Sequence, residues 1–432
     1  MGARLSPYAA VFTSRKILLL LLLGFSSGLP LALTGATLQA WLAVEGVDIK
    51  TIGWFALVGQ PYVYKFLWAP LMDRYRLPFL GRRRGWLALT QVLLLVSIAW
   101  MGTVSPRESP WLLAWVALAV AFLSASQDIV FDAYRADILS ADERGPGAAV
   151  SVLGYRIAML VSGGLALILV DNWISWQAAY WLMAALMLVG LAAVWAAAEP
   201  QAPARVPTTL VEAVRAPLAE YFSRHGAWLI LMLIILYKLG DAFAGTLTTA
   251  FLLRGAGFSL TEVGLVNKWL GVGATILGAL IGGALMIRLR LYRSLLLFGV
   301  LQALTNLGFM LLAVSGKSYA LLIAVIAAEN LCGGMGTIAF VALLMALCDR
   351  RFSATQYALL SALASLGRVY VGPLAGALAA TYGWTWFFFF TFVVALPGVL
   401  MLWWQRERIE ALDISPTSVP PPPPPPSGAP RR

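Results

Sequence analysis

The sequence has little charge, almost no cysteine and a single histidine. Asp, Glu, Lys and Arg make up 12% of the 432 residues, about half their share in soluble domains. The two cysteines, Cys332 and Cys348, exclude a disulfide framework, and neither belongs to a metal-binding motif. His225 alone cannot supply a His-based catalytic constellation. The composition therefore argues against a soluble globular protein, and we expect neither a metal nor a cofactor.

The sequence has instead an abundance of long apolar runs. Hydrophobic residues account for 60% of the chain, and they come in blocks of roughly 20 residues or more, the length needed to cross a bilayer core. We therefore predict an all-α membrane protein with twelve transmembrane helices, at residues 17–43, 51–71, 85–103, 110–134, 147–170, 176–197, 226–253, 261–286, 294–315, 318–347, 355–379 and 383–404.

The basic residues are distributed unevenly over the loops between these helices. The formal net charge of +11 could suggest a nucleic-acid partner. With a cytoplasmic N-terminus, however, 22 Lys and Arg residues fall in cytoplasmic segments and four in outer loops. This is the positive-inside bias of a membrane protein. The distribution of the basic residues thus predicts a multi-pass protein with both termini in the cytoplasm. It also indicates that the partner is the lipid bilayer and not nucleic acid.

The predicted helices divide into two groups of six. We predict an N-terminal bundle at 1–197, a cytoplasmic linker at 198–225 with an amphipathic helix near 209–221, a C-terminal bundle at 226–404, and a disordered tail at 405–432. The tail contains the proline run 420–426, to which a proline-recognising partner could bind. Short matches at an offset near 211 residues relate the halves, as in Leu153-Gly154-Tyr155-Arg156 and Leu366-Gly367-Arg368. Two pseudo-symmetric six-helix bundles are the architecture of major facilitator transporters.

Ionisable residues inside the predicted spans are candidates for function. Each costs roughly 2.5–3.5 kcal/mol at mid-membrane, so such residues usually face a polar cavity. Internal ion pairs that only lock helices together are the alternative, and Lys238 and Asp241 stand at i,i+3. Aromatic and amide side chains lie at similar depth and suit sugar rings, whereas cations suit carboxylates. The predicted substrate-binding residues are Gln39, Tyr62, Tyr64, Lys65, Gln127, Arg156, Lys238, Lys268, Trp269, Asn330 and Arg368.

Acids in the same spans are candidates for proton coupling. Asp128 and Asp132 lie one turn apart in the fourth helix, where mutual repulsion favours keeping one of them protonated. We predict Asp132 as the proton carrier and Asp128 as its partner, with Glu329 and Asp241 as the other available acids.

The loop after the second helix contains a cytoplasmic signature. Asp73-Arg74 followed by Gly81-Arg82-Arg83-Arg84 resembles the motif of the major facilitator superfamily that gates the inner face. The resemblance implies gating roles for Asp73, Arg74, Arg82 and Arg83. Ala69 stands where the superfamily usually has glycine, and five extra residues separate the two parts.

Several further segments resemble the AmpG-type muropeptide permeases. These are 24–30, 61–70 with Asp73-Arg74, 81–86, 126–135 and 154–156. The resemblance implies a Gram-negative inner-membrane permease that imports N-acetylglucosaminyl-1,6-anhydro-N-acetylmuramyl peptides, driven by the proton gradient. Such import feeds cell-wall recycling and, in some bacteria, β-lactamase induction.

Two other functions stay open at this point. One is a major facilitator transporter of another anionic solute, such as acetyl-CoA or a sugar phosphate. The other is a membrane-embedded transferase, which is disfavoured because no loop carries a His–Asp or Cys–His constellation.

Overall fold

The computed structural model describes residues 14–139, 143–200, 219–223, 226–348 and 353–412, and this part of the chain is helical. Serine side chains begin several of the helices. Ser14, Ser175 and Ser318 each accept a hydrogen bond from a backbone N–H three residues on. Such N-caps satisfy donors that have no partner within the first helical turn.

The first bundle contains six helical segments. They are α1 (Arg15–Val44, interrupted at Gly35), α2 (49–74), α3 (Arg82–Met101), α4 (Pro110–Ile138), α5 (144–172) and α6 (Trp176–Ala196). The α1 and α5 backbones lie in contact, since a Cβ added at Gly154 would lie 2.9 Å from the backbone nitrogen of Phe25. Small residues allow such close helix approach in membrane proteins.

The second bundle repeats this pattern. Its segments are α7 (Ala227–Gly255), α8 (260–289), α9 (291–315), α10 (Tyr319–Ala346), α11 (353–382) and α12 (384–404). Sharp bends separate α8 from α9 at Arg290, with φ 59° and ψ 174°, and α11 from α12 at Gly383, with φ 76° and ψ 174°.

The helix count agrees with the twelve predicted spans. Nine helices of the described residues are long and apolar enough to cross a membrane. Two of them contain the bends at Arg290 and Gly383, so each supplies two crossings. The twelfth, α2, consists of short α-helical and 3₁₀ pieces between residues 49 and 74.

The linker and the tail differ in part from expectation. Most of the predicted amphipathic helix lies outside the described residues, and 219–223 is helical. The predicted disordered tail begins with a short helix, α13 (Arg406–Leu412), whose Ile409 side chain is fully buried against the second bundle. The proline run 420–426 lies outside the described residues.

Three of the long helices contain wide π-helical turns. They occupy Val161–Leu165 in α5, Phe251–Gly255 in α7 and Val263–Leu270 in α8. Turns of this kind are frequent at functional sites. Those of α5 and α8 face each other across the two bundles, where a Cβ added at Gly164 would lie 3.0 Å from the Trp269 indole nitrogen.

Candidate functional site

The two bundles meet closely at one end of the molecule, where α1 ends and α2 begins; we call it the closed end. Here α2 packs on α11 backbone against backbone. A Cβ added at Gly53 would lie 2.9 Å from the Cα of Gly376, and one added at Gly376 would lie 2.8 Å from the carbonyl oxygen of Ile49. Because no side chain fits between them, these glycines permit a contact that any larger residue would prevent.

An arginine of the second bundle holds the end of α1 at this closed end. Arg254, in the last turn of α7, donates hydrogen bonds to the backbone carbonyls of Leu42, Ala43 and Val47. The last carbonyls of a helix lack partners within it and carry partial negative charge, so a guanidinium there is stabilising. The predicted seventh span, 226–253, ends one residue before Arg254, which would place it in a loop; as part of α7 it joins the two bundles.

Two further contacts cross the bundles at the closed end. The Gln39 amide of α1 donates to the Thr246 carbonyl and accepts from the Ala250 N–H at 3.2 Å, both in α7. At the start of α8, the Thr261 N–H donates to the Asp171 carboxylate at 2.9 Å. Gln39, predicted to bind substrate, is thus engaged between the bundles in this conformation.

Away from the closed end, cations from both bundles face the same space. Arg156 of α5 and Arg368 of α11 are exposed, although each lies in the middle of an apolar helix. Both guanidinium charges act on the phenol of Tyr155, as does the carboxylate of Asp128. The two arginines that the internal repeat relates are therefore both within electrostatic range of one tyrosine.

The polar groups of the first bundle centre on Asp128. The Ser27 hydroxyl of α1 donates a hydrogen bond to its carboxylate. The charges of Lys65 and Asp132 also act on Asp128, so three predicted site residues lie together. Asp132 itself lies nearer the end of α4, where it is exposed and paired with Arg135 at 3.0 Å.

Gln127, next to Asp128 in the chain, does not belong to the polar cluster around Asp128. Its side chain is 1% exposed and donates to Ser26 at 3.3 Å, inside the packing of the first bundle. In this conformation it does not reach the space between the bundles.

The second bundle has its own charged cluster. Lys238 and Asp241 form the i,i+3 ion pair anticipated from their spacing, with 3.2 Å between Nζ and Oδ2. Their charges act on Glu329 of α10, as does that of Lys268 from α8. The neighbouring Asn330 donates to Glu329 at 3.3 Å. Four charged residues from three helices thus interact within one bundle.

Aromatic side chains border the same space. The hydroxyls of Tyr64 in α2 and Tyr370 in α11 lie 2.9 Å apart and form a hydrogen bond between the bundles. Tyr62 packs against the hydrophobic core, and Trp269 is 49% exposed. Among the residues that the structure describes, no cluster of acidic, cysteine and histidine side chains could hold a metal ion.

Comparison with known proteins identifies this arrangement. The family model of the Major Facilitator Superfamily matches residues 20–327 and 230–431. The anhydromuropeptide permease of Escherichia coli K12 is 58% identical over 405 residues, which cover 94% of this chain and 82% of that protein. The chain belongs to the AmpG-type permeases of the major facilitator superfamily. The putative transporter AmpG 4 of Rickettsia felis is 33% identical, covering 92% of this permease and 98% of the relative.

Solved structures support the fold of the permease. A bacterial homologue of the human lysosomal transporter Spinster, inward-facing and unoccupied, aligns with a TM-score of 0.71 at 14% identity, over 96% of this chain and 100% of that one. The D-xylose–proton symporter aligns at 0.69 and 11% identity, over 90% and 97%. Both the fold and the relatives are those of transporters, so the permease is a multi-pass membrane transporter and not an enzyme.

The arginines of the signature loop contact neighbouring helix ends within the first bundle. Arg83 is 7% exposed and donates to Asp137 at the end of α4 at 2.9 Å. Arg82 lies 4.0 Å from the same carboxylate. The backbone N–H groups of Arg83 and Arg84 donate to Glu199 after α6, at 2.8 and 3.0 Å. The loop of the permease is therefore anchored to α4 and α6, while the side chains of Asp73 and Arg74 lie outside the described ones.

Two residues of the permease were not predicted from the sequence. They are Tyr155, on which charges of both bundles act, and Arg254, which joins the two bundles. Tyr155 lies directly before Arg156, in the Gly-Tyr-Arg segment that carries the family resemblance, and that segment was the available signal. Arg254 carried no such signal, because a single arginine at a helix end is usual at the membrane boundary.

Proposed function

We propose that this protein imports anhydromuropeptides across the bacterial inner membrane, driven by the proton gradient, with both termini in the cytoplasm. The E. coli relative named anhydromuropeptide permease supports this substrate. The chemistry of the site agrees with it, because a disaccharide offers ring faces and amides while a stem peptide offers carboxylates.

The observation that carries the proposal is that Arg156 and Arg368, one from each bundle, are both exposed and both act electrostatically on Tyr155. Guanidinium groups bind carboxylates through paired hydrogen bonds. We propose that these arginines, one from each bundle, take the carboxylates of the peptide. Tyr62, Tyr64 and Trp269 take the sugar rings, with Lys65, Lys238, Lys268 and Asn330 as further polar contacts.

The proposed topology places the two ends of the molecule on opposite sides of the membrane. With cytoplasmic termini, the closed end lies in the periplasm and the exposed arginines face the cytoplasm. The proposed state is therefore inward-facing, and import requires the closed end to open and the opposite end to close. The signature loop with Asp73, Arg74, Arg82 and Arg83 lies at that opposite end, which supports its proposed gating role.

For proton coupling we propose the acid pair of α4, with Asp128 as the carrier. The sequence favoured Asp132, but that side chain is exposed and paired with Arg135. Asp128 instead accepts a bond from Ser27 and interacts with Lys65. A coupling acid must change its surroundings between the two conformations. Asp128 acts on Tyr155, as does Arg368 of the second bundle, so the charges around Asp128 change when the bundles move.

Purified protein in liposomes tests the function directly. Labelled anhydromuropeptide should accumulate inside only when an inward proton gradient is imposed. Failure to accumulate it, together with uptake of labelled acetyl-CoA or a sugar phosphate, would instead establish one of the alternative anionic substrates.

A topology prediction follows from the basic loops. A reporter enzyme that is active only in the periplasm, fused after Trp404, should be silent in intact cells. The same reporter inserted at Lys317, in the loop before α10, should be active. Activity of the fusion after Trp404 would overturn the proposed orientation.

The paired arginines predict a difference between substrates. Replacing Arg156 or Arg368 with Gln should reduce uptake of the peptide-bearing substrate roughly tenfold or more, because a hydrogen bond between charged groups contributes about 1.5–3 kcal/mol. Uptake of the peptide-free disaccharide should change less. Competition assays with both substrates measure the difference, and equal losses would indicate that the arginines serve the structure only.

A further inference from the structure

A cavity of about 560 Å³ lies at the closed end, outside the central site. Its walls come from the ends of α1, α3 and α5 and the start of α6. Leu260, at the start of α8, completes it from the second bundle. In the proposed orientation it opens to the periplasm, the side from which substrate arrives.

The lining of this outer cavity carries acid groups but no basic ones. Of its fifteen lining residues two are acidic, Glu45 and Asp171, and none is Lys, Arg or His. The Glu45 carboxylate has no hydrogen-bond or ion-pair partner among the described residues; its backbone carbonyl instead accepts from Arg107 at 3.0 Å. One Asp171 oxygen accepts from Thr261. The cavity therefore offers free acceptor oxygens.

Aromatic side chains underlie the same cavity, where Trp41 is 4% exposed and Trp176 is 9% exposed. The rings of Trp41 and Trp176, both lining residues, stack with centroids 5.7 Å apart and an interplanar angle of 18°. Tyr180 packs on Trp41 at 5.1 Å, and its hydroxyl donates to the Leu33 carbonyl at 3.0 Å. Ligand sites combine aromatic side chains with a few well-positioned polar groups.

We infer that the outer cavity is a docking site for a neutral sugar ring bearing hydroxyl and amide groups. Hydroxyl groups of the ring donate to Glu45 and Asp171, the exposed amide of Gln177 pairs with the ring's amide, and the apolar ring edge packs beside the indoles. The choice of an amide-bearing sugar rests on the proposed function, whose substrate carries such a ring at one end. With carboxylates here and Arg156 and Arg368 in the central site, the permease recognises the two ends of that substrate separately.

The cavity is also tied to the closed conformation. Its walls include the end of α5 and the start of α8, which the Asp171–Thr261 bond holds together. These ends separate when the periplasmic side opens. Opening therefore removes Leu260 from the cavity wall and exposes the route to the central site, while Glu45, Asp171 and Gln177 stay together in the first bundle.

A site-specific labelling experiment tests docking independently of transport. Thr103 lines the cavity and is exposed, so a Thr103→Cys variant in intact spheroplasts should react with a membrane-impermeant maleimide. N-acetylglucosamine should slow this reaction with a half-effect on the order of millimolar, as expected for a small ligand with few contacts. Adding Glu45→Ala should raise that concentration roughly tenfold. A Glu108→Cys variant, exposed on the same loop outside the cavity, is the matched control and should be unprotected.

The outcomes separate docking from transport. Protection of Thr103→Cys without muropeptide uptake in liposomes would support the docking site and contradict the proposed function. Absence of protection, equal protection of Glu108→Cys, or no effect of Glu45→Ala would overturn the docking site. Much stronger protection by glucosamine, which replaces the amide with an ammonium, would also overturn it and assign the cavity to cations.

Discussion

Replacing Arg254 with Gln should open the closed end of the permease. Arg254 donates to the Leu42 and Ala43 carbonyls at the end of α1 and to the Val47 carbonyl just after it, and hydrogen bonds from a charged donor contribute about 1.5–3 kcal/mol each. Losing roughly 3 kcal/mol in total would shift the equilibrium toward opening about 100-fold. A cysteine at Ala250, fully buried against α1, should then react correspondingly faster with an impermeant maleimide added from the periplasmic side. Because the state with this end closed becomes rare, uptake should fall as well.

The chain offers a matched control for this variant. Arg107 donates two hydrogen bonds to the Glu45 carbonyl, beside the carbonyls that Arg254 holds, yet it belongs to the same bundle as its partner. Arg107→Gln should leave the labelling rate of Ala250→Cys nearly unchanged. Similar rates for both arginine variants would show that Arg254 stabilises a loop and does not hold the bundles together. Cys332 and Cys348 are replaced with serine in these experiments, so that only the introduced thiol reacts.

Asp128→Asn should abolish proton-driven accumulation of substrate while leaving exchange intact. Asparagine keeps the shape of the carboxyl group but cannot bind and release a proton, so the gradient no longer drives the cycle. Accumulation in liposomes should fall to the equilibrium level, whereas counterflow of labelled against unlabelled substrate should persist within a few-fold. Loss of both activities would indicate that Asp128 binds substrate or supports the fold.

Three companion variants sharpen this experiment. Asp132→Asn should retain accumulation, because that acid is paired with Arg135 and exposed. Ser27→Ala removes the hydroxyl that donates to Asp128 and should shift the pH dependence of uptake without abolishing it. Accumulation by Asp128→Asn but not by Asp132→Asn would restore the assignment that the sequence favoured. If both variants accumulate substrate, Glu329→Gln tests the remaining acid.

The architecture was predictable because bilayer thickness fixes helix length. The twelve apolar runs match the helices to within a few residues, and the Lys238–Asp241 pair follows from spacing along one helix. Breaks inside helices were not predictable in this way. The π-turn at Val263–Leu270 and the short pieces of α2 depend on contacts with other helices, which the order of residues does not reveal.

The roles of single polar residues were harder to predict than their importance. Gln39 and Gln127 are both amides in apolar helices, yet one binds α7 and the other Ser26. Arg254 was assigned to a loop because it follows the apolar run of its helix, and nothing in the sequence pairs it with the end of α1. Such pairings arise only once two helices distant in sequence are placed side by side.

The backbone contact between Gly53 and Gly376 also bears on proton leakage. A transporter driven by protons must not let them pass without substrate, and a file of water molecules between the bundles would conduct them. Even one added carbon atom at Gly53 would lie only 2.9 Å from the Cα of Gly376, so no water fits at this point. At Gly53 and Gly376 the closed end therefore excludes water by close packing alone, with no charged residue needed there to repel protons.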